Sequence, residues 1–368
     1  MTTVKRLGTF LAALLLLVGL LSAAACRDSE KNYKPVKSSD AELAEMVTLG
    51  GETVRYELLR AFMHALRYEY DGGDTSLWQG GEASALFSDL TDEALSQIAD
   101  IYATFSVCEK YGIDPYGKKV NAEVERRIRA DIDGGIINDA HIEGYGSKAK
   151  YLDALKKMYM NDSVNRLLHR WDVCSSLLYT KVVDNFNGGA NSATREEVEE
   201  FYYSDDCAQI SWLFISNDTL ELYDEAGAEA FIMSAYEQLY EARADYSQML
   251  RIIAGYTYNL SYDQIENGFC ISRFGGIGGG VRELIDSAFA LGNLDISDRI
   301  TTADGVYYLV GLAKSAEYFS GHYEILYDLL LANRLYLELD GVASEMLADA
   351  VFSPAFGALD PASEFGGA

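Results

Sequence analysis

The chain has 368 residues, of which 30 are basic and 57 acidic, and its formal net charge is −27. So acidic a chain repels the phosphate backbone, which excludes nucleic acid as a partner. Hydrophobic residues make up 49% of the sequence and aromatic residues 12%, which is enough apolar material for the cores of two or three structural units.

The N-terminus carries an export pattern. Lys5 and Arg6 precede an apolar run from Leu7 to Leu21, and small residues then lead to Cys26. This order predicts a secretory signal peptide over residues 1–25, because the apolar run falls short of the ~20 residues that a membrane-spanning helix needs. A retained anchor helix is the alternative interpretation.

The three small residues before Cys26 resemble the lipobox of bacterial lipoproteins, with Ala23 standing where that family prefers leucine. The resemblance implies cleavage before Cys26 and a lipid on this residue. The mature chain loses two basic residues with the signal peptide, so it carries 28 basic against 57 acidic residues. Anionic lipid headgroups repel such a chain, so the lipid must hold it at the membrane. Residues 26–43 lack apolar periodicity and are predicted to form a flexible tether.

Helical periodicity dominates residues 44–203, which we predict to be a mostly helical region. At its start, two short strands flank a turn at Gly50 and Gly51. Near its end, Thr194 and Glu197 have the spacing of a capping box that opens a helix. The predicted helices of this region are 55–70, 91–112, 121–132, 148–158, 162–183 and 195–203.

From residue 204 the pattern changes to strands and helices. The predicted extended segments are 208–215, 269–274 and 307–312, and the predicted helices are 225–244, 246–254 and 282–290. A long helix follows from His322 to about Ala350, and the small and polar residues 353–368 predict a disordered tail. The predicted fold class is therefore α+β.

Cysteine and histidine give no metal-binding pattern. The four cysteines after Cys26 have no metal-ligand spacing and are interpreted as buried thiols, or as at most one or two disulfides. These cysteines are Cys108, Cys174, Cys207 and Cys270. The four histidines are scattered, so neither a histidine-rich metal site nor a cofactor is predicted.

Several segments resemble the extracytoplasmic parvulin-type foldases of the PrsA and SurA kind, which are lipoproteins in Gram-positive bacteria. The most specific segment is Leu284–Ile300, which is similar without a gap to the family's F-E-D-A-A-F-x-L-x-x-G-E-I-S-x-P-V. Thr302–Leu309 then resembles T-x-x-G-Y-H-I-I, Gln209–Ile215 resembles A-S-H-I-L-V, and Val47–Val54 resembles V-N-G-x-x-I-T.

The resemblance implies a domain organisation. A helical chaperone region over 44–203 would be followed by an inserted parvulin-like domain over 204–316, built from a four-stranded antiparallel sheet plus helices. The C-terminal helix over 317–352 would then pack on the N-terminal region, so that these two stretches form one discontinuous domain.

The resemblance also implies a site. Parvulins accelerate rotation about the X-Pro bond, and the family surrounds its proline pocket with two histidines, a methionine and a phenylalanine. Those positions are Trp212, Tyr307, Gly280 and Leu284 here, so all four depart from the family pattern. Tyr307 is the implied catalytic hydrogen-bond donor, and Trp212, Gly280, Leu284 and Phe289 are the implied substrate-binding residues. The alternative is that Trp212, Leu284 and Tyr307 simply pack the sheet.

Two main functions follow. One is a peptidyl-prolyl cis–trans isomerase that acts on secreted chains, and the other is a non-catalytic holdase chaperone that keeps the scaffold for peptide binding. A solute-binding lipoprotein fits less well, because the chain lacks the repeated βα pattern of two doubly wound lobes. The expected partners are unfolded or newly secreted polypeptides, and the membrane through the lipid; a homodimer is left open. The 26 tyrosines suit adaptable peptide contact, with compositional bias as the alternative.

Overall fold

The computed structural model describes residues 38–137, 140–183, 192–273, 282–302 and 304–366. The predicted signal peptide, Cys26 and Gly280 lie outside this part of the chain. The fold class is α+β, as predicted, and the chain divides into two units. One, which we call the helical unit, holds the described residues up to Lys181 and those from Leu337 onward. The other, the sheet unit, holds the described residues of Val182–Tyr336.

The helical unit opens with the predicted hairpin of two strands, β1 (Glu45–Leu49) and β2 (Glu52–Arg55). Gly50 and Gly51 connect them with φ angles of +55° and +91°. Positive φ at both central residues matches the twist of the flanking strands, and glycine adopts it without steric cost.

The helices of this unit follow the predicted order. They are α1 (Tyr56–Asp71), α2 (Ala83–Lys110), α3 (Lys118–Asp133), α4 (Lys148–Lys157) and α5 (Asp162–Val182). A 3₁₀ turn at Thr75–Gln79 precedes α2, and the short strands β3 (Gly135–Ile137) and β4 (Ala140–Ile142) pair between α3 and α4. Helix α2 begins eight residues before the predicted Thr91, and the fully buried Leu90 lies in this added stretch. In the part of the chain that the structure describes, no helix has the length and apolar character needed to cross a membrane.

Ser38 is fixed to the helical unit although it falls within the predicted tether. Its hydroxyl donates to Glu57, and the Asn161 amide donates both to the Ser38 oxygen (3.2 Å) and to a Glu57 carboxylate oxygen (2.7 Å). The predicted tether therefore includes at least one residue that the fold itself holds.

The sheet unit consists of one four-stranded antiparallel sheet and the helices that pack on it. Its strands are β5 (Cys207–Ser216), β6 (Phe269–Ser272), β7 (Ile300–Thr301) and β8 (Gly305–Gly311), in the order β6-β5-β8-β7. Its helices are α6 (Arg195–Tyr203), α7 (Asn217–Leu220), α8 (Glu225–Glu241), α9 (Tyr246–Tyr256), α10 (Tyr262–Asn267), α11 (Arg282–Ala290) and α12 (Ala316–Gly321). The predicted capping box opens α6, with both the Thr194 and the Glu197 side-chain bonds present.

The long helix α13 (Tyr323–Ala348) belongs to both units, whereas the prediction placed all of it with the N-terminal region. Its first part contacts α6 and the residues just before it. Arg334 forms an ion pair with Glu197 of α6 at 2.7 Å, and the Tyr327 hydroxyl accepts a hydrogen bond from the Ala193 N–H. Its second part belongs to the helical unit, where Glu338 accepts from Tyr111 at 3.0 Å. Contacts with residues distant in sequence therefore assign the two parts of this one helix to different units.

The C-terminal residues 353–366 are ordered, so the predicted disordered tail is wrong for them. Val351–Phe352 (β9) pairs with β1, and a 3₁₀ turn at Phe356–Ala358 and helix α14 (Pro361–Phe365) follow. The small and polar composition conceals one large side chain, Phe365, which is only 2% exposed. Burial of this ring orders the end of the chain.

All four cysteines after Cys26 are buried free thiols, which matches the first of the two interpretations. In the helical unit the Cys108 thiol donates to the Cys174 carbonyl at 3.5 Å. In the sheet unit, burial is the main reason that the pKa of the Cys270 thiol is raised. A neutral thiol is a poor nucleophile, so burial lowers the reactivity of Cys270.

The helical unit is expected to lose stability as pH falls from about 6.5 to 4. Burial, together with the charges of Arg60 and Arg67, lowers the pKa of His64 to about 4. The unfolded chain takes up a proton on His64 near its ordinary pKa of about 6.5. It therefore binds more protons than the folded chain in this window, which favours unfolding. We expect a loss of about 1 kcal/mol after allowance for solvent screening.

The measurement compares the free energy of unfolding at pH 7 and pH 4.5 in the wild type and in His64→Phe. Phenylalanine keeps a flat ring against Tyr159, on which His64 stacks at 3.5 Å, but it cannot titrate. Other acidic and basic groups titrate equally in both proteins. An equal pH dependence in the two proteins would contradict the prediction.

Candidate functional site

The central strand β5 of the sheet unit is buried on both faces. Successive side chains of a strand point to opposite sides. Leu213 and Ile215 therefore face α8 and α9, whereas Trp212 and Phe214 face α11. The predicted site residues Trp212 and Tyr307 share this second face, which brings them together.

The rings on this face form a compact aromatic cluster. Tyr307 on β8 lies directly opposite Phe214 in the antiparallel register, and their ring centroids are 4.5 Å apart. Trp212 meets Tyr307 edge to face at 5.4 Å and Phe269 edge to face at 4.7 Å. These separations and angles are those at which aromatic pairs attract. We call Trp212, Phe214, Phe269 and Tyr307 the aromatic cluster.

Helix α11 covers the aromatic cluster. Leu284 packs in it, and Phe289 adds a half-buried ring with the Arg273 guanidinium 4.4 Å from its centroid. The exposed fractions are 8% for Trp212, 6% for Tyr307 and 3% for Leu284. At the predicted site, the side chains that the structure describes thus form a filled core.

Two polar groups hold the edges of the aromatic cluster. The Trp212 Nε1–H donates to Asn259 Oδ1 at 3.1 Å, and the Tyr307 hydroxyl donates to Asp304 Oδ2 at 3.3 Å. Burial raises the pKa of Tyr307, and the negative charge of Asp304 raises it further. The hydroxyl is therefore neutral, and its one proton is already directed at a carboxylate.

The backbone polar groups of Trp212 and Phe214 on this edge of β5 also have hydrogen-bond partners. Strand β6 pairs with β5 only from Cys207 to Ile210, and within the described ranges no other strand pairs with the adjoining part of this edge of β5. The Thr257 hydroxyl fills the gap, because it accepts the Phe214 N–H at 3.0 Å and donates to the Trp212 carbonyl at 3.2 Å. This edge of β5 is thereby closed at the aromatic cluster.

The loop from Thr257 to Leu260 connects the aromatic cluster to the protein surface. Leu260 packs against the cluster, and the Tyr258 ring lies 5.7 Å from the Phe214 ring. Tyr258 is nevertheless 69% exposed, and Tyr262 at the start of α10 is 80% exposed. Among the described residues, Tyr258 and Tyr262 therefore expose large apolar rings on this loop and at the start of this helix.

The sequence-predicted residues account for part of this site. Trp212, Leu284, Phe289 and Tyr307 lie together, whereas Gly280 lies outside the described residues. Phe214, Thr257, Tyr258 and Asn259 were missed. Phe214 follows Trp212 by two positions on one strand, and this period places it on the same face. Within the described ranges, no group of three His, Cys, Asp or Glu side chains is arranged to hold a metal ion.

No protein-family model matches the chain, and no curated protein sequence matches it. Solved structures of foldases are similar to it at low identity. The foldase PrsA from Streptococcus pneumoniae is 14% identical, over 88% of this chain and 100% of that one, with a TM-score of 0.32. PrsA from Bacillus subtilis is 12% identical, over 78% and 94%, with a TM-score of 0.24.

The peptidylprolyl isomerase PrsA from Bacillus anthracis is 14% identical, over 73% of this chain and 96% of that one, with a TM-score of 0.21. Because all three TM-scores lie below 0.5, the function has to be inferred from the residues of this chain.

Proposed function

We propose that this protein is an extracytoplasmic, lipid-anchored folding factor that binds non-native polypeptides and does not catalyse prolyl isomerisation. The sequence similarity around 284–309 to parvulin-type foldases supports the assignment to protein folding. The filled aromatic cluster is the observation that favours binding over catalysis.

Isomerisation needs space that the aromatic cluster does not offer. An enzyme of this kind accelerates rotation by binding the twisted amide better than the planar one. It therefore needs a pocket for the proline ring and a hydrogen-bond donor aimed at the amide. Here Trp212, Leu284 and Tyr307 occupy that space themselves, and the Tyr307 hydroxyl is committed to Asp304.

Tyr258 and Tyr262 are the proposed contact surface for clients. A tyrosine offers a large apolar ring and a polar tip, and it has few rotatable bonds to order on binding. Such side chains tolerate many partner sequences, as a chaperone of secreted chains requires. Their neighbour Leu260 is anchored in the aromatic cluster, so the surface stands on a packed base.

The test of this function is suppression of aggregation. Mature protein with Cys26→Ser is mixed with denatured citrate synthase, and light scattering is followed during dilution of the denaturant. We expect suppression, and we expect Tyr258→Ser with Tyr262→Ser to need about fivefold more protein for the same effect, because about 1 kcal/mol of lost contact changes an equilibrium about fivefold.

Tyr68→Ser is the matched control, since Tyr68 is 71% exposed but lies in the helical unit. It is expected to suppress aggregation as the parent protein does. Absence of suppression by the parent protein would contradict the proposed function. Full suppression by the double tyrosine variant would show that clients bind elsewhere.

The lipid anchor is proposed at Cys26. In cells, Cys26→Ser is expected to move the protein from the membrane fraction to the soluble extracytoplasmic fraction, because the net negative charge of the mature chain opposes binding to anionic lipid once the acyl chains are lost. Fractionation and metabolic labelling with a fatty acid measure this change. A Cys26→Ser protein that is still labelled and membrane-bound would overturn the assignment.

A further inference from the structure

The C-terminal helix α14 places one aromatic side chain in a box of aromatic and cationic side chains of the helical unit. The Phe365 ring lies 4.7 Å from Trp78, 4.8 Å from His64 and 6.1 Å from Phe87, measured between ring centroids. The Arg67 guanidinium carbon lies 5.9 Å from the Phe365 centroid. We call His64, Arg67, Trp78 and Phe87 the Phe365 box.

The walls of the Phe365 box are held by contacts that do not involve the C-terminus. The Trp78 Nε1–H donates to Asp71 Oδ2 at 2.7 Å, and Arg67 Nε pairs with the same oxygen at 2.8 Å. His64 stacks on Tyr159 with an interplanar angle of 7°. None of these contacts involves the C-terminal segment, so the walls of the box have support that does not depend on Phe365.

The residues on either side of Phe365 are also recognised. The Tyr56 hydroxyl lies 2.7 and 2.8 Å from the two carboxylate oxygens of Glu364. The Gln79 amide donates to the Gly366 carbonyl at 2.5 Å. Each of three consecutive residues therefore makes a different kind of contact. The Glu364 carboxylate accepts from a hydroxyl, the Phe365 ring packs in the box, and the Gly366 carbonyl accepts from an amide.

Helix α14 depends on the box for its order. It has only five residues, and a helix that short does not persist on its own in water. Its internal support is the Asp360 side chain, which accepts the Ser363 N–H. Contacts made by Glu364, Phe365 and Gly366 therefore decide whether the segment is docked.

We infer that the Phe365 box is a peptide-recognition site for segments in which an acidic residue precedes an aromatic residue and a small one, and that Glu364–Gly366 is its occupant in cis. The C-terminal segment then competes with such segments in other chains. An occupant tethered in the same chain acts at an effective concentration that can reach the millimolar range. Segments that bind the box weakly therefore cannot compete with the tethered C-terminal segment, and only a segment that binds tightly displaces it. This inference concerns the helical unit and stands independently of the client surface at Tyr258 and Tyr262.

The experiment measures binding in trans by fluorescence anisotropy. The probe is a peptide of residues 360–368, labelled at its N-terminus, and the proteins are the mature wild type and its Phe365→Ala variant. We expect Phe365→Ala to bind the peptide at least ~10-fold more tightly than the wild type, since its box is free of the tethered competitor. The same peptide with Phe365→Ala is expected not to bind.

Two further variants complete the experiment: one tests whether the box recognises Glu364, and the other covers the case in which Phe365→Ala does not fold. Tyr56→Phe removes only the hydroxyl that bonds Glu364, so it should weaken binding of the natural peptide but not of the Glu364→Ala peptide, which has no side-chain acceptor. Phe365→Leu is a milder opening of the box for the case in which Phe365→Ala does not fold, with folding checked by circular dichroism.

The inference is overturned by three results. The first is a folded Phe365→Ala or Phe365→Leu protein that does not bind the peptide, which would make α14 a purely structural staple. The second is equal binding by wild type and variant. The third is failure of both variants to fold, since the box would then require its own Phe365. None of these results bears on aggregation suppression, so the proposed function is tested separately.

Discussion

Prolyl isomerisation is expected to stay at its uncatalysed rate in the presence of the mature protein. The barrier to rotation about the peptide bond is about 18–20 kcal/mol, and an X-Pro bond crosses it in tens to hundreds of seconds without help. Lowering that barrier needs a bound proline and a donor to its amide nitrogen. Among the described residues, Trp212, Leu284 and Tyr307 pack against one another where the proline would bind, and the Tyr307 hydroxyl already donates its proton to Asp304. A protease-coupled assay on an Xaa-Pro peptide measures the rate.

A parvulin of known activity, assayed alongside, shows that the assay can detect catalysis. Tyr307→Phe is the matched variant, because it keeps the ring in the aromatic cluster and removes only the hydroxyl. A rate that rises in proportion to protein concentration and falls in Tyr307→Phe would contradict the prediction. It would also restore Tyr307 to the catalytic role that the family resemblance implied.

Replacement of Trp212 by alanine is expected to destabilise the sheet unit by about 3–5 kcal/mol, as large-to-small substitutions of buried aromatic residues do. The indole lies between Phe269 and Tyr307, and its N–H bonds Asn259. Its removal leaves a cavity in the packed core, and Asn259 loses a hydrogen-bond partner. Denaturant unfolding followed by far-ultraviolet circular dichroism measures the free energy of unfolding.

Tyr258→Ala is the control for this prediction. Tyr258 neighbours the same aromatic cluster but is mostly exposed, so the substitution should change the free energy of unfolding by about 0.5 kcal/mol or less. Trp212→Phe should lie between the two. A cost below about 1 kcal/mol for Trp212→Ala would mean that the indole borders open space, which is the arrangement a substrate-binding cleft requires.

The parts of the fold that follow local rules could be predicted from the sequence. Gly50 and Gly51 specify a two-residue turn by their backbone freedom, and Thr194 with Glu197 specifies a helix start by two reciprocal hydrogen bonds. The apolar run at 208–215 predicted a buried strand, and β5 is buried on both faces. In each case the deciding interaction lies within a few residues.

The parts that depend on distant contacts could not be predicted in the same way. The order of the C-terminus rests on Phe365, whose ring partners lie nearly 300 positions earlier. Helix α10 was missed, although its capping box at Ser261 and Gln264 is as regular as the one that was used. Whether Trp212 and Tyr307 line a cleft or fill a core depends on what α11 and the Thr257 loop place against them, and no spacing in the sequence reveals that.

If the protein is anchored to a membrane at Cys26, the attachment of Ser38 to Glu57 and Asn161 limits how far the helical unit can lie from that membrane. If the lipid is on Cys26, twelve residue steps separate the anchor from the first residue that the fold holds. A fully extended chain spans at most ~3.3–3.6 Å per residue, so the segment from Cys26 to Ser38 reaches at most about 40 Å. The helical unit is then confined to a layer next to the bilayer, where a chain leaving the export machinery is still close to the lipid.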